Sequence, residues 1–310
     1  MMVFSFSEAA HLAKPLAEKL GIPLAPIEDR TFEDGEGKLR PLTSVRGEDV
    51  YVLQSLHGDE TLSVHDRLCR LLFFIATLRD HGAARVTAVA PYLCYARKDR
   101  RTKSRDPLTL RYVAQMLEAV GCDRVVALEV HNLMAFQNAF RCQTLHIGME
   151  DVFGEKIFQN KHDAPLAVVS PDPGGIKRAQ ILREALEAQL GQSIGFAFAD
   201  KRRSAGVRTA GKLSGDVNGK HVIIADDLIS TGGTLVDAAT ACRANGAKTC
   251  IALAAHGLFS DKAPKLLSSD LFETIIVSDS TPPLTKGVTV VSCASALADA
   301  LNRLANSSHH

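Results

Sequence analysis

An α/β chain with mainly parallel sheets flanked by helices is predicted by two features of the sequence. Short, nearly continuous apolar runs rich in Val and Ile read as strands covered on both faces, and the longer segments between them carry apolar residues at helical spacing. The 310 residues, 46% of them hydrophobic, suffice for one large core or two ordinary ones, and two domains are expected.

In chain order, the strand "DVYVLQS" (49–55) precedes a helix over 63–81, and "RVTAVAPY" (85–92) precedes one over 107–120. "RVVALEV" (124–130) is followed by "LAVVSPD" (166–172), which leads into a helix over 174–190. "HVIIADD" (221–227) leads to a helix over 234–245, then come the strands "TCIALAAH" (249–256) and "TIIVSD" (274–279), and a last helix over 295–305. Two of these stretches read alike. "DVYVLQS", a turn, a helix and "HGAARVTAVA" are echoed by "HVIIADD", a turn, a helix and "NGAKTCIALA", with the helices ending near Gly82 and Gly246. Two related domains in tandem explain the echo, as does the general similarity of strand-helix-strand units. The polar stretch at 148–163 sets the expected division: residues 1–150, residues 151–293, and a C-terminal helix and tail, 294–310, expected to pack on the first domain.

Lys and Arg total 36 against 35 Asp and Glu, so the whole chain exerts no net pull on nucleic acid or an anionic membrane, and any anion site must be local. With 5% aromatic residues, a nucleic-acid-binding module has little support. The seven cysteines, Cys69, Cys94, Cys122, Cys142, Cys242, Cys250 and Cys293, form no CxxC pair and lie mostly in apolar runs, which points to a reducing, cytoplasmic setting. No apolar run approaches the roughly 18–20 residues of a membrane span, so no membrane partner is expected.

The segment "HVIIADDLISTGGT" (221–234) carries the most specific chemistry. It brings Asp226 and Asp227 to the C-terminal end of a buried strand, where open α/β sheets bind ligands. Ser230, Thr231 and Thr234 then supply hydroxyls, and Gly232 and Gly233 let backbone N–H groups turn toward an anion at a helix start near Thr234. Acids for sugar hydroxyls beside an N–H cradle for phosphate suit a phosphorylated sugar. The segment has neither the lysine of a P-loop nor the glycine spacing of a dinucleotide site. A Ser/Thr helix cap explains "STGGT" alone but not the adjacent acids.

Other segments carry weaker signals. "TFEDGE" (31–36) alternates Phe32, Asp34 and Glu36, which suits stacking and hydrogen bonding of a purine, although an Asp-Gly hairpin has the same pattern. "PYLCYARKDRRTKSRDP" (91–107) packs six basic residues into 97–105 against one internal acid, Asp99, so the loop is either solvated or neutralised by a polyphosphate. His131 immediately follows the strand over 124–130, Asp172 ends the strand of "VVSPDPGGIKRAQIL" (168–182), and "FADKRRSAG" (198–206) offers Lys201, Arg202 and Arg203 in a loop able to close on phosphate. Lys177 and Arg178 have a simple alternative as helix-surface pairs.

"VIIADDLISTGGT" resembles the phosphoribosyl-diphosphate-binding loop shared by type I phosphoribosyltransferases and ribose-phosphate diphosphokinases. The remaining segments, from residue 32 almost to the C-terminus, resemble the diphosphokinases: "TFEDGE" their FxDGE adenine loop, "PDPGGIKRA" their PDxGGxKRA segment, and Lys201 with Arg203 their KxR pair. The resemblance implies two tandem type I phosphoribosyltransferase-like domains. It assigns ATP to Phe32, Asp34, Glu36, Arg97, Lys98, Asp99 and Arg100, and Mg²⁺ to the surroundings of His131 and Asp172. Ribose 5-phosphate falls to Asp172, Asp226, Asp227, Ser230, Thr231, Gly232, Gly233 and Thr234, with Lys201 and Arg203 catalytic. The implied reaction moves the diphosphoryl group of ATP to the anomeric hydroxyl of ribose 5-phosphate, in a homo-oligomer whose subunits share active sites. Lys98 stands where the family usually has glutamine, Glu129 where it has aspartate, and Ser230 where aspartate is frequent. Two alternatives stay open: a phosphoribosyltransferase, which needs a base-binding hood and no adenine loop, and an inactive regulatory relative, which would lack the catalytic residues present here.

Overall fold

The computed structural model describes residues 1–159, 164–200, 203–204, 207–208, 212–260, 263–267, 269–282 and 286–306. The chain divides into two compact units: Met1–Ile147 with Ser280–Pro282 and Ser292–His310, and Gly148–Asp279 with Pro283–Val291. Its elements begin with β1 (Met2–Ser5), α1 (Ala10–Leu20), β2 (Ile27–Thr31), β3 (Gly37–Pro41), β4 (Asp49–Leu53), α2 (Val64–Asp80), β5 (Arg85–Ala90), α3 (Thr109–Ala119), β6 (Arg124–Leu128), α4 (Leu133–Ala139) and β7 (Gln143–Ile147). They continue with α5 (Glu150–Phe158), β8 (Leu166–Ser170), α6 (Ile176–Leu190), β9 (Gly195–Asp200), β10 (Arg203–Ser204), β11 (Val207–Arg208), β12 (Lys212–Ser214), β13 (His221–Ile229), α7 (Gly233–Ala244), β14 (Thr249–Gly257), α8 (Pro264–Leu267), β15 (Thr274–Ser278), β16 (Thr289–Val291) and α9 (Ala294–Asn306).

In the first unit, β1, β4, β5, β6 and β7 form a parallel sheet in that order. Val50, Val52, Val86, Ala88, Val125 and Ala127 share a core with Leu71, Phe74, Ile75 and Leu78 of α2 and with Val113 and Leu117 of α3. The intervening Tyr51, Leu53, Val126 and Leu128 are buried too. Successive strand residues face opposite sides, so burial of both sets explains why these strands read as unbroken apolar runs. Helix α9 belongs to this unit and packs on α1, and the buried Arg124 donates to its Leu304 carbonyl at 3.4 Å and to Asp49 Oδ1 at 2.6 Å. A guanidinium at a helix C-terminus complements the negative end of the helix dipole.

In the second unit the sheet order is β12, β9, β8, β13, β14, β15, β16, parallel throughout except for the β12–β9 pair. Three strand limits differ from the sequence reading in ways that move functional residues. β6 stops at Leu128 because Glu129 turns to φ 37°, so His131 lies beyond the strand instead of directly after it. β8 stops at Ser170, and Asp172 starts the following turn. β13 runs on to Ile229, because its pairing with β14 continues to Ile229 opposite Gly257 although pairing with β8 ends at Ile224 opposite Val169.

Candidate active site

In the second unit the unequal pairing of β13 creates the site. Asp226 and Asp227 lie past the last residue paired with β8, and the turn Pro171–Gly175 comes up against this stretch. A Cβ on Gly175 would sit 2.8 Å from Ser170 Oγ and 4.0 Å from the Ala225 carbonyl oxygen, so the turn lies within van der Waals reach of β13. Asp172 caps this turn: its Oδ1 accepts from the Gly174 and Gly175 amides at 2.9 and 3.1 Å. Asp172, Asp226 and Asp227 therefore gather at one end of the sheet.

Asp227 is buried and Asp226 half-buried, and the Asp227 amide donates to Asp226 Oδ1 at 2.9 Å. Burial, and then the neighbouring Asp227 carboxylate, push Asp226 well above the usual carboxylate range. The Arg178 guanidinium, 3.6 Å from Asp227 Oδ1, opposes this. Without ligand, the pair thus favours holding a proton over carrying two full charges.

The turn that follows delivers residues 230–234 to the start of α7. Gly232 adopts φ 74° as the residue preceding the helix, where it can supply no side-chain cap to α7. A Cβ on Gly232 would lie 2.6 Å from Leu266 Cδ2, so both the left-handed backbone and the packing require glycine here. Such an N-terminus carries the positive end of the helix dipole and favours negative charge beside it. Ser230 Oγ reaches Ser260 Oγ at 3.5 Å, while Thr231 is exposed.

In the first unit, three predicted segments take defined shapes. The hairpin β2–β3 holds Phe32 at its tip, 39% exposed, with the Arg30 guanidinium 4.8 Å from the ring centroid. Asp34 Oδ1 accepts from the Glu36 amide at 3.0 Å, so Asp34 shapes the turn that presents the ring. The basic loop has its own organiser, Asp106, just outside the basic window. Its Oδ2 accepts from Thr102 N and Lys103 N, both at 3.0 Å, and from Thr102 Oγ1 at 2.8 Å, with Lys98 Nζ at 3.6 Å. Arg97, Arg100 and Arg105 remain exposed without an acidic partner among the described residues. Asn132 caps α4, accepting from Ala135 N at 3.1 Å, and donates to Asp99 Oδ2 at 2.7 Å, which ties the basic loop to the segment bearing His131. The role of Asn132 is detectable in sequence only as a helix-cap residue before an apolar run. Lys201 lies outside the described residues, and Arg203 is described in backbone alone, as the start of β10.

Carboxylates at the C-terminal ends of parallel strands, with a glycine turn into an uncapped helix, place the chain among phosphoribosyltransferase-like α/β enzymes. Residues 1–121 match the N-terminal domain of ribose phosphate pyrophosphokinase, and residues 201–308 match the phosphoribosyl synthetase-associated domain. A ribose-phosphate pyrophosphokinase of Caldanaerobacter subterraneus is 37% identical, with 91% of this chain and 86% of that one covered. One from Fusobacterium nucleatum is 36% identical, covering 98% and 95%. The crystal structure of phosphoribosylpyrophosphate synthetase from Mycobacterium smegmatis superposes with a TM-score of 0.88 at 32% identity over 99% of both chains. The chain belongs to the ribose-phosphate pyrophosphokinase family. Among the described residues, no helix is long and apolar enough to cross a membrane.

Proposed function

We propose that the protein transfers the diphosphoryl group of ATP to ribose 5-phosphate, giving 5-phosphoribosyl 1-diphosphate and AMP. The anomeric oxygen attacks the β-phosphorus, the bond from that phosphorus to the α,β-bridging oxygen breaks, AMP leaves with the bridging oxygen, and the hydroxyl proton passes to solvent. The observation that carries this reading is the match of relatives across both units, since one unit of this kind would serve a phosphoribosyltransferase.

Within this reading, the α7 N-terminus and residues 230–234 hold the 5-phosphate, and Asp226 and Asp227 accept hydrogen bonds from ribose hydroxyls. Phe32 stacks on adenine, Asp34 and Glu36 border it, and Arg97, Lys98 and Arg100 face the polyphosphate, with Asp99 held in place by Asn132. Lys201 and Arg203 offset charge on the transferring group, and phosphoryl chemistry depends mainly on such neutralisation and on alignment. Active sites shared between subunits of a homo-oligomer are part of the proposal, as is a cytoplasmic location.

Mg²⁺ fits the donors present. It is usually held by one or two carboxylates plus substrate phosphates, and no group of three metal-ligating side chains occurs among the described residues. Asp172, with Oδ1 committed to two amides, retains Oδ2 for a hard cation, and His131 is the other residue assigned to it. When bound, Mg²⁺ neutralises phosphate charge.

Product analysis with Mg²⁺, ATP and ribose 5-phosphate tests the proposal. AMP and 5-phosphoribosyl 1-diphosphate are expected in equal amounts and only when both substrates are present. Absence of turnover by the folded protein would favour the regulatory relative, and consumption of the sugar diphosphate with a nucleobase would favour the transferase.

A further inference from the structure

The echo between the two units has a definite register. Asp49 pairs with Arg85 where β4 meets β5, and His221 pairs with Thr249 where β13 meets β14. Counting along each strand from those pairs, Gln54 and Ser55 stand where Asp226 and Asp227 stand. Neither replacement is acidic. Ser55 Oγ donates to the Ser280 carbonyl at 2.5 Å, and Gln54 is fully buried with no hydrogen-bond partner for its side-chain carboxamide among the described residues. The helix starts differ as well. Helix α7 has no side-chain cap, whereas α2 is closed by a capping box in which Asp66 N donates to Ser63 Oγ at 3.2 Å and Ser63 N to Asp66 Oδ2 at 2.8 Å.

The loop between β4 and α2 nevertheless keeps the donors of an anion site. Asp59 Oδ1 accepts from Thr61 N at 2.8 Å, Thr61 Oγ1 at 2.6 Å and Leu62 N at 3.0 Å, and Oδ2 accepts from Arg67 Nη2. Arg67 is 1% exposed, and its Nη1 donates to the His57 carbonyl at 2.7 Å. Two amides, a hydroxyl and a buried guanidinium converging on one carboxylate form the donor set of a phosphate cradle. Asp59 itself is open to solvent, at the mouth of the cradle. Burial is the largest single influence on Asp59 and pushes its pKa up, but the bonds from Thr61, Leu62 and Arg67 together outweigh it and hold the carboxyl below the usual range.

We infer that the 59–67 loop is an anion cradle occupied by the chain's own Asp59 carboxylate, which bars phosphate from that loop. The cradle itself is tested without reference to activity, using inorganic phosphate. In chloride buffer, Asp59→Ala and Asp59→Asn should both melt below the parent, because Arg67 loses its counter-charge. Phosphate should raise the melting temperature of both more than that of the parent, and equilibrium binding to Asp59→Ala should show one more phosphate per chain. Adding Arg67→Met to Asp59→Ala should abolish the extra response. Equal phosphate responses in parent and single variants, or an extra response that survives loss of Arg67, would overturn the inference. So would an Asp59→Ala protein that phosphate fails to stabilise while Asp59→Asn behaves like the parent.

Discussion

Lys201→Ala is expected to lower kcat by about 10²–10³-fold while changing the affinity for ribose 5-phosphate by less than about threefold. The reason is the timing of charge. An ammonium that meets the transferring diphosphoryl group stabilises the transition state more than the bound substrates, so its removal falls on turnover. Arg203→Ala should fall on turnover in the same way. Steady-state kinetics with direct measurement of ribose 5-phosphate binding separates the possibilities, and a loss of affinity with normal kcat would remove Lys201 from catalysis.

The acid pair should separate binding from stability. Asp226→Asn and Asp227→Asn are each expected to weaken ribose 5-phosphate binding by roughly 10–100-fold, the loss of a hydrogen bond to a charged group. Their effects on the unliganded protein should differ in sign. Because Asp226 titrates above the ordinary carboxylate range when folded, the unfolded chain ionises first as pH rises. The contribution of Asp226 to stability is therefore full below the ordinary carboxylate range and declines as pH climbs toward the raised folded value. Asp226→Asn removes that decline and should raise the melting temperature at neutral and alkaline pH. Asp227→Asn takes a carboxylate away from Arg178, 3.6 Å distant, and should lower it. Melting curves across pH check both signs.

The strand and glycine turn that carry Asp226, Asp227 and residues 230–234 were legible because their signals are local. A buried strand announces itself by its apolar run, and two acids and a glycine turn directly after such a run need no knowledge of distant residues. The limits of the strands depended on partners. Leu228 and Ile229 extend β13 because β14 accompanies them, and β6 ends at Leu128 because Glu129 adopts a left-handed backbone. The short edge elements β1 and β16, of four and three residues, are too brief to carry a periodicity. The internal order of the basic loop was not legible, since Asp106, its organiser, lies one residue past the basic window. The closed cradle at Asp59 was invisible for a similar reason: Arg67 reads as one polar residue of an amphipathic helix until packing buries it.

The most direct test of the central claim follows phosphorus. With ATP labelled at both the β and γ positions, together with Mg²⁺ and ribose 5-phosphate, both labels should appear on one sugar product in equal amount, with AMP unlabelled. Labelled ADP, or a sugar product carrying only the γ label, would mean transfer of a single phosphoryl group and would contradict the account.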